Sequence, residues 1–476
     1  MTGGGANHEI DYLIVGAGAV GLAFADVLLA EDKDATIAIV DRHSAPGGHW
    51  NDAYPFVRLH QPSAFYGVES LPLGQDRIDE DGPNSGFYEL AGVGELLAYF
   101  EHALRAILAT GRATYLPSSD HLGEGRVRKL FSGEERQFTV RRRIVDATFY
   151  ETSVPSTHTP KFEIAAGARM ATPAQLPGLV QRPDTIPAHF AILGGGKTAM
   201  DCGVWLLQQG VRPEAISWVR PRESWLINRR FTQPGLDFFE ASLDNQLALM
   251  RAAVDAEAAR DIFHRLEPEG YMLRIDQSVE PTKFFFATIS TGEVELLRQI
   301  ERVVRFGHVR RIEPGRMIGE SGEESVPEDT LFIDCTASAV RAKPGRPLFA
   351  DGLITLQPLQ APLVTMSAAV TAWLEVHRDT DEARNALATP VALADSIAHY
   401  PVVLLGNAMN RMRWMQEPDL AKWLGRSRLD PMARTIRQVR KERPDLLGLL
   451  DGFRSTAQEA GPHLFRLAQQ APPIPA

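Results

Sequence analysis

Two glycine-rich turns, each seated between a short apolar run and a helical stretch, predict an α/β chain built on two Rossmann-like dinucleotide-binding domains. Three observations carry that prediction. They are the run Gly16-Ala17-Gly18-Ala19-Val20-Gly21, the run Gly194-Gly195-Gly196-Lys197-Thr198-Ala199, and a buried-looking strand ending Asp-x-Thr later in each half.

In the first unit, residues 12–15 and 36–40 are apolar runs of the kind buried on both faces of a parallel sheet. Between them a helix carries Val20, Phe24, Val27 and Leu28 on one side. Gly16 permits the tight turn, Gly18 lets a pyrophosphate approach the backbone, and Gly21 lets helix and strand pack closely. The helix N-terminus offers its unpaired amides to the anion. Asp41, about 20 residues after Gly21, ends the second strand and can accept hydrogen bonds from ribose hydroxyls, with Arg42 beside it. The alternative is an ordinary turn followed by a fortuitous acid.

In the second unit the strand ends at Leu193, Gly194 and Gly196 form the turn, and Lys197 and Thr198 open a helix that Gly210 closes. The next strand, 215–219, ends in Arg220-Pro221-Arg222 instead of an acid. Arginine attracts a 2′-phosphate where an acid would repel it, so this unit favours NADPH and the first an unphosphorylated adenosine. Two solvated surface charges are the plainer alternative. Residues 144–148 end Asp-Ala-Thr148 and residues 332–336 end Asp-Cys-Thr336. The repetition implies two bound dinucleotides.

Composition excludes several classes. Of 476 residues, 23% are charged and 44% hydrophobic, which is ordinary for a globular chain and unlike a disordered one. The net charge of −10 disfavours nucleic acid as a partner. Two cysteines, Cys202 and Cys335, make neither a disulfide scaffold nor a Cys-rich metal site. Without a C-x-x-C pair, dithiol redox chemistry is not expected, and each cysteine reads as a small buried residue. No metal site is expected. Residues 1–9 lack a signal-peptide core and no apolar run reaches a membrane span, so a cytoplasmic protein with no membrane partner is expected.

Gly47-Gly48-His49-Trp50, shortly after Asp41, is similar to the GGxW segment of flavin-containing and Baeyer–Villiger monooxygenases, the class B flavoprotein monooxygenases. Tyr54-Pro55, Pro62-Ser63 and Tyr66 resemble the family's loop beside the flavin, and Gly196-Lys197-Thr198-Ala199 with Asp201 its NADPH turn. The Asp-x-Thr strand ends resemble its Ala-Thr-Gly motifs, with Phe149 and Ala337 where Gly would stand. The resemblance covers about 8–70, 140–230 and 325–345. It departs in the linker after Phe149, where the family's F-x-G-x-x-x-H fingerprint lacks its Gly and His158 comes later.

The resemblance implies FAD in the first domain, held by the first glycine turn with Gly48, Trp50 and Thr148, and NADPH in the second. It implies a small organic substrate and O2, oxygenated through a C4a-(hydro)peroxyflavin. His60, Gln61 and Arg58 lie in the flavin-side loop as candidates for proton transfer and peroxide stabilisation; a packed loop is the alternative. Two other functions fit the same residues: a flavin-dependent NAD(P)H oxidoreductase without oxygen insertion, and a nucleotide-binding redox sensor that is not an enzyme.

The domains expected are 8–160 (FAD domain, first part), 161–324 (NADPH domain, with a helical insert at about 236–302), 325–365 (FAD domain, second part) and a helical C-terminal region at 366–476. The insert either packs on its domain or covers the active-site mouth. Residues 366–387 read as one amphipathic helix. Arg229 and Arg230 either extend the phosphate site or line a surface. His158 reads as a loop histidine held by neighbouring backbone, or as a hinge or cofactor contact. Arg411, Arg413, Arg426, Arg428, Arg434, Arg437, Arg440 and Lys441 read as a solvated helix face or an anion dock. A homo-oligomer is left open.

Overall fold

A computed structural model describes residues 8–150, 152–337, 343–393 and 395–474. The first seven residues of the Gly-rich start, Glu151 of the linker and the last two residues of the tail lie outside them. The first apolar run is the end of a longer strand, β1 (His8–Val15), and the stretch after the turn forms α1 (Ala19–Glu31). Then come β2 (Ile37–Val40), α2 (Val93–Ala109) and β3 (Ala113–Leu116), followed by β4 (Ser119–Gly123), β5 (Arg126–Lys129) and β6 (Glu135–Asp146). β6, β1, β2 and β3 lie side by side in parallel, and β4 and β5 form an antiparallel extension on β6. Leu13 and Ile14 near the C-terminal end of β1 are wholly buried, as a strand covered on both faces requires.

The second half begins with β7 (Glu163–Ile164), β8 (Arg169–Ala171) and β9 (Phe190–Leu193). There follow α3 (Lys197–Gln208), β10 (Ile216–Val219), β11 (Ser224–Asn228), α4 (Phe239–Asp255) and α5 (Ala259–Leu266). Next are β12 (Met272–Leu273), β13 (Lys283–Ile289), α6 (Thr291–Arg298) and β14 (Arg302–Val304). The segment ends with β15 (Val309–Glu313), β16 (Arg316–Gly319), β17 (Glu323–Ser325) and β18 (Leu331–Asp334). A parallel sheet of order β14-β10-β9-β18-β8 forms the second Rossmann-like unit. β12-β11-β13 and β17-β16-β15-β7 are smaller sheets beside it.

The chain then returns to the first sheet as β19 (Phe349–Ala350) and β20 (Leu353–Thr355), which pairs in parallel with β6. It ends in α7 (Val364–His377), α8 (Asp381–Leu387), α9 (Tyr400–Gln416), α10 (Pro418–Leu424), α11 (Pro431–Glu442) and α12 (Leu447–Gln469). The first sheet is thus interrupted by the second.

Three expectations need correction. The return to the first sheet falls at β19–β20 and not at residue 325. β18 pairs in register with β9, so Thr336 closes the second unit as Thr148 closes the first. The insert at 236–302 is helical only through α5 and again at α6; the Phe284-Phe285-Phe286 run lies in β13, parallel to β11. Residues 366–387 are two helices, and α7 is buried on nearly every face because it packs along α1. That docking also explains why α1 is buried beyond the one apolar side its sequence shows.

Candidate functional site

In the first glycine turn, Gly16 adopts φ +107°, which only glycine takes at little cost. Its amide donates to the Val40 carbonyl at 2.8 Å. A Cβ on Gly21 would lie 2.0 Å from the Gly16 carbonyl oxygen, so close helix–strand packing is what that position enforces. Gly18 is the N-cap of α1 in extended conformation and supplies no side-chain cap, leaving the first amides of the helix for an anion. Gly48 packs against it: a Cβ on Gly18 would sit 3.6 Å from the Gly48 Cα.

Asp41 closes this turn from the other side. It is buried; Oδ2 accepts the Ala17 amide at 2.6 Å, and Oδ1 accepts the His43 amide at 2.7 Å. The His43 ring bridges Asp41 Oδ1 (3.0 Å) and Asp52 Oδ2 (2.7 Å), tying the strand end to the GGxW segment. Burial opposes a charge on His43, but Asp52 and Asp41 outweigh it and raise its pKa. Arg42 is largely exposed, 3.6 Å from Asp120. Trp50 is buried and donates Nε1–H to the Tyr66 hydroxyl at 3.0 Å. Its indole packs edge-on against the Tyr66 ring, and the Gly48 backbone lies against the turn.

The second turn repeats the design. Gly194 has φ +129°, and a Cβ there would meet the Cys335 carbonyl oxygen at 2.6 Å. Gly196 is the extended N-cap of α3 with no side-chain cap, and a Cβ on it would meet nothing within 4 Å. Thr198 lies in the first turn of the same helix. The two strand ends match in detail. Thr148 donates N–H (2.8 Å) and Oγ1–H (2.7 Å) to Asp146 Oδ1, and Thr336 donates N–H (3.0 Å) and Oγ1–H (2.6 Å) to Asp334 Oδ1. His158 Nε2 lies 3.1 Å from Thr336 Oγ1, so a side chain rather than neighbouring backbone holds this histidine.

The arginines after β10 divide. Arg220 is 4% exposed, with its guanidinium 3.3 Å from Glu223 and over the Trp218 ring at 4.7 Å. Arg222 is exposed beside the turn, where NH2 lies 3.2 Å from His308 Nε2. Of the two, only Arg222 is placed to reach a ligand at the surface.

Between the domains lies a buried ionic cluster that the sequence does not reveal as a unit. Lys197 does not face the glycine turn. It turns inward to Asp201 and to Glu293 at 3.2 Å. Arg229 corrects both readings made for it: it is 1% exposed and neither binds a surface phosphate nor lines a surface. Its guanidinium lies 2.6 Å from Glu293 Oε2 and donates to the His60 carbonyl (3.0 Å) and to Asn84 Oδ1 (3.0 Å). Burial raises the Glu293 pKa, but Lys197 and Arg229 hold it well below the usual carboxylate range. Glu293 also caps α6, accepting the Ser290 amide at 2.9 Å; the Ser-Thr-Gly-Glu capping signature was its only trace in the sequence. Arg230 remains exposed.

The loop after the GGxW segment joins this cluster. Tyr54 donates its hydroxyl to Asp201 Oδ2 at 2.7 Å, and Phe56 stacks on Trp205 of α3 with ring centroids 4.8 Å apart. His60 sits among Lys197, Asp201, Arg229 and Glu293, and Gln61 is half-buried next to it. Arg58 does not converge with them: it is exposed, with NH1 3.5 Å from the Leu90 carbonyl. The C-terminal basic residues are structural in part. Arg428 donates to the carbonyls of Tyr66 (2.5 Å) and Val68 (2.9 Å), while Arg411 and Arg434 pair with Asp430 and Asp76.

Burial, with Lys197 and Arg229, pushes the His60 pKa down from 6.5 to about 4, so the folded ring is neutral at neutral pH. The unfolded imidazole takes its proton first, so the stability tied to the neutral ring is complete above pH 6.5 and is lost as pH falls to about 4. The full loss is roughly 3 kcal/mol at most. The urea midpoint of His60→Gln is therefore expected to fall less than that of the parent over this window. Parallel pH profiles would refute the assignment.

Among the described residues, no group of His, Cys, Asp and Glu is arranged to hold a metal, and no helix is long and apolar enough to cross a membrane. A family model described as an NAD(P)-binding Rossmann-like domain matches residues 14–65. The uncharacterized proteins Rv2000 of Mycobacterium tuberculosis and Mb2023 of Mycobacterium bovis are 42% identical over 426 residues, which is 89% of this chain and 78% of each relative. Among solved structures, a flavin monooxygenase mutant from Stenotrophomonas maltophilia aligns at 16% identity and TM-score 0.43, over 78% of this chain and 98% of its own. Cyclohexanone monooxygenase in an open form aligns at 13% identity and TM-score 0.48, over 78% and 87%.

Proposed function

Since the chain belongs to the family of these mycobacterial proteins and carries an NAD(P)-binding Rossmann-like domain, we propose that it is an FAD-dependent, NADPH-using monooxygenase of a small organic substrate. The observation that carries this reading is the contact between the two nucleotide units. The loop following the first glycine turn reaches the helix that opens the second through Tyr54–Asp201 and Phe56–Trp205. Hydride transfer between two dinucleotides needs such an approach.

The residues present fit both groups. The uncapped N-terminus of α1, with Gly16, Gly18 and Gly48, suits the FAD pyrophosphate, and Asp41 stands at the strand end where a ribose would lie. Gly194, Gly196 and Thr198 suit the NADPH pyrophosphate, with the open space at Gly196 as the cradle. FAD, when bound, supplies hydride acceptance from NADPH and the reduction of O2. The chain's own work is to orient and to exclude water. The Phe56–Trp205 stack puts apolar rings between the two units, and the Trp50–Tyr66 pair packs the loop beside the first turn. His60, neutral at neutral pH, can accept or return a proton at its ring nitrogens.

The test begins with the purified protein, which should be yellow and release FAD. With NADPH, isotope-labelled O2 and a panel of amines, thioethers and ketones, the label should enter a product. A colourless protein that cannot be reconstituted with FAD overturns the proposal. NADPH oxidation that yields hydrogen peroxide and no labelled product, with every class tried, replaces it with an oxidoreductase that inserts no oxygen.

Arg222→Ala should weaken NADPH while leaving NADH unchanged. Losing one charge-assisted contact costs about 1.5–3 kcal/mol, or roughly 10- to 150-fold in Kd. An unchanged NADPH/NADH ratio would place the 2′-phosphate elsewhere.

A further inference from the structure

The two cysteines of the chain, far apart in sequence, meet in space. Cys202 lies in α3 and Cys335 directly follows β18; their sulfurs are 3.6 Å apart, and both residues are buried at 0% and 4% exposure. They sit in the apolar cluster that forms the core of the second unit. Each sulfur has the other as its hydrogen-bond partner. The absence of a C-x-x-C motif, which argued against dithiol chemistry, therefore says nothing about this pair. β9, with its turn, and the fold of α3 onto the sheet bring the two residues together.

We propose that Cys202 and Cys335 are a redox-active dithiol that closes to a disulfide in the presence of a peroxide, pinning α3 to the end of β18. A disulfide needs its sulfurs about 2.05 Å apart, so the gap to be closed is about 1.5 Å. The thiolate of one cysteine attacks a peroxide oxygen and breaks the O–O bond, giving a sulfenic acid and, after protonation of the departing hydroxide, water. The second sulfur then displaces the sulfenic hydroxyl, which leaves as water with the remaining thiol proton. In sum, two thiols and one hydrogen peroxide give one disulfide and two waters; sulfur is oxidised and peroxide oxygen is reduced. The second sulfur stands within contact of the first, which favours closure over further oxidation of the sulfenic acid. This does not depend on the proposed monooxygenase activity, because the oxidant can be supplied from outside.

Burial, with the Cys335 sulfur alongside, pushes the Cys202 thiol well above its ordinary range. The thiolate is the nucleophile, so oxidation should speed up as pH rises.

The full chain, native and with its thiols reduced, is treated with hydrogen peroxide, quenched in acid, and alkylated after denaturation. The expected result is loss of about 2 Da without alkylation and a cross-linked Cys202–Cys335 peptide, both reversed by dithiothreitol. Cys335→Ser should abolish the cross-link and leave Cys202 to gain oxygen or an alkyl group. Two thiols still fully alkylatable after prolonged peroxide treatment at alkaline pH would overturn the proposal. So would independent gain of oxygen on each sulfur, about 32 Da apiece for sulfinic acids.

Discussion

Arg229→Met should destabilise the protein by about 3–5 kcal/mol, the cost of removing one partner from a buried ion pair. Methionine fills much of the arginine volume, so the loss is electrostatic and not a cavity. The cluster of Lys197, Arg229, Asp201 and Glu293 is formally neutral. Without Arg229 it carries one net negative charge in a site that admits little water, and the His60 carbonyl and Asn84 Oδ1 lose their donors. Glu293, no longer held down by two cations, should then take a proton at higher pH than in the parent, nearer its unfolded value, so the variant's stability should fall less than the parent's as the pH is lowered through the acid range. Arg229→Met combined with Glu293→Gln restores neutrality and should recover part of the loss. Urea midpoints of the parent, the two single variants and the double variant give the coupling. Additive losses would show that Arg229 and Glu293 do not act as a pair.

That cluster marks the limit of what the sequence made legible. The glycine turns, the strands they follow and the two Asp-x-Thr ends could be read because each is a local pattern with a local cause. A β1–turn–α1 unit needs Gly21 against Gly16 whatever the rest of the chain does. Arg229, Glu293 and Asn84 are instead functions of docking: no spacing in the sequence joins residue 84 to 229 or 293. Lys197 misled for the same reason. Its place after Gly196 suggested a phosphate ligand, but the acids that claim it, Asp201 one helical turn on and Glu293 on α6, are set by helix phase and tertiary packing. Arg220 was drawn from the surface by Glu223 and Trp218 in a similar way. The cysteine count could not show that Cys202 and Cys335 meet, because separation in sequence does not limit proximity once parallel strands are laid side by side.

Gly18→Val should yield a folded but colourless protein, on the proposed reading of the first turn. Gly18 has φ −78°, which valine tolerates, and a Cβ there makes only an ordinary contact with Gly48. The backbone therefore has no reason to fail. The two γ-methyl groups, however, would occupy the space over the uncapped amides of α1, where a pyrophosphate must approach to hydrogen-bond distance. Gly21→Ala is the contrasting case. Its methyl would sit 2.0 Å from a backbone oxygen, so the β1–α1 packing itself should fail and the protein should be lost to aggregation. Gly196→Val applies the same logic to the second turn: Gly196 is likewise an extended N-cap facing open space, so this variant should keep its flavin but no longer be reduced by NADPH. Circular dichroism, bound-flavin absorbance and anaerobic reduction separate the three. Normal flavin content in a folded Gly18→Val would place FAD away from the first turn, and a Gly196→Val protein reduced by NADPH at the parental rate would do the same for the second.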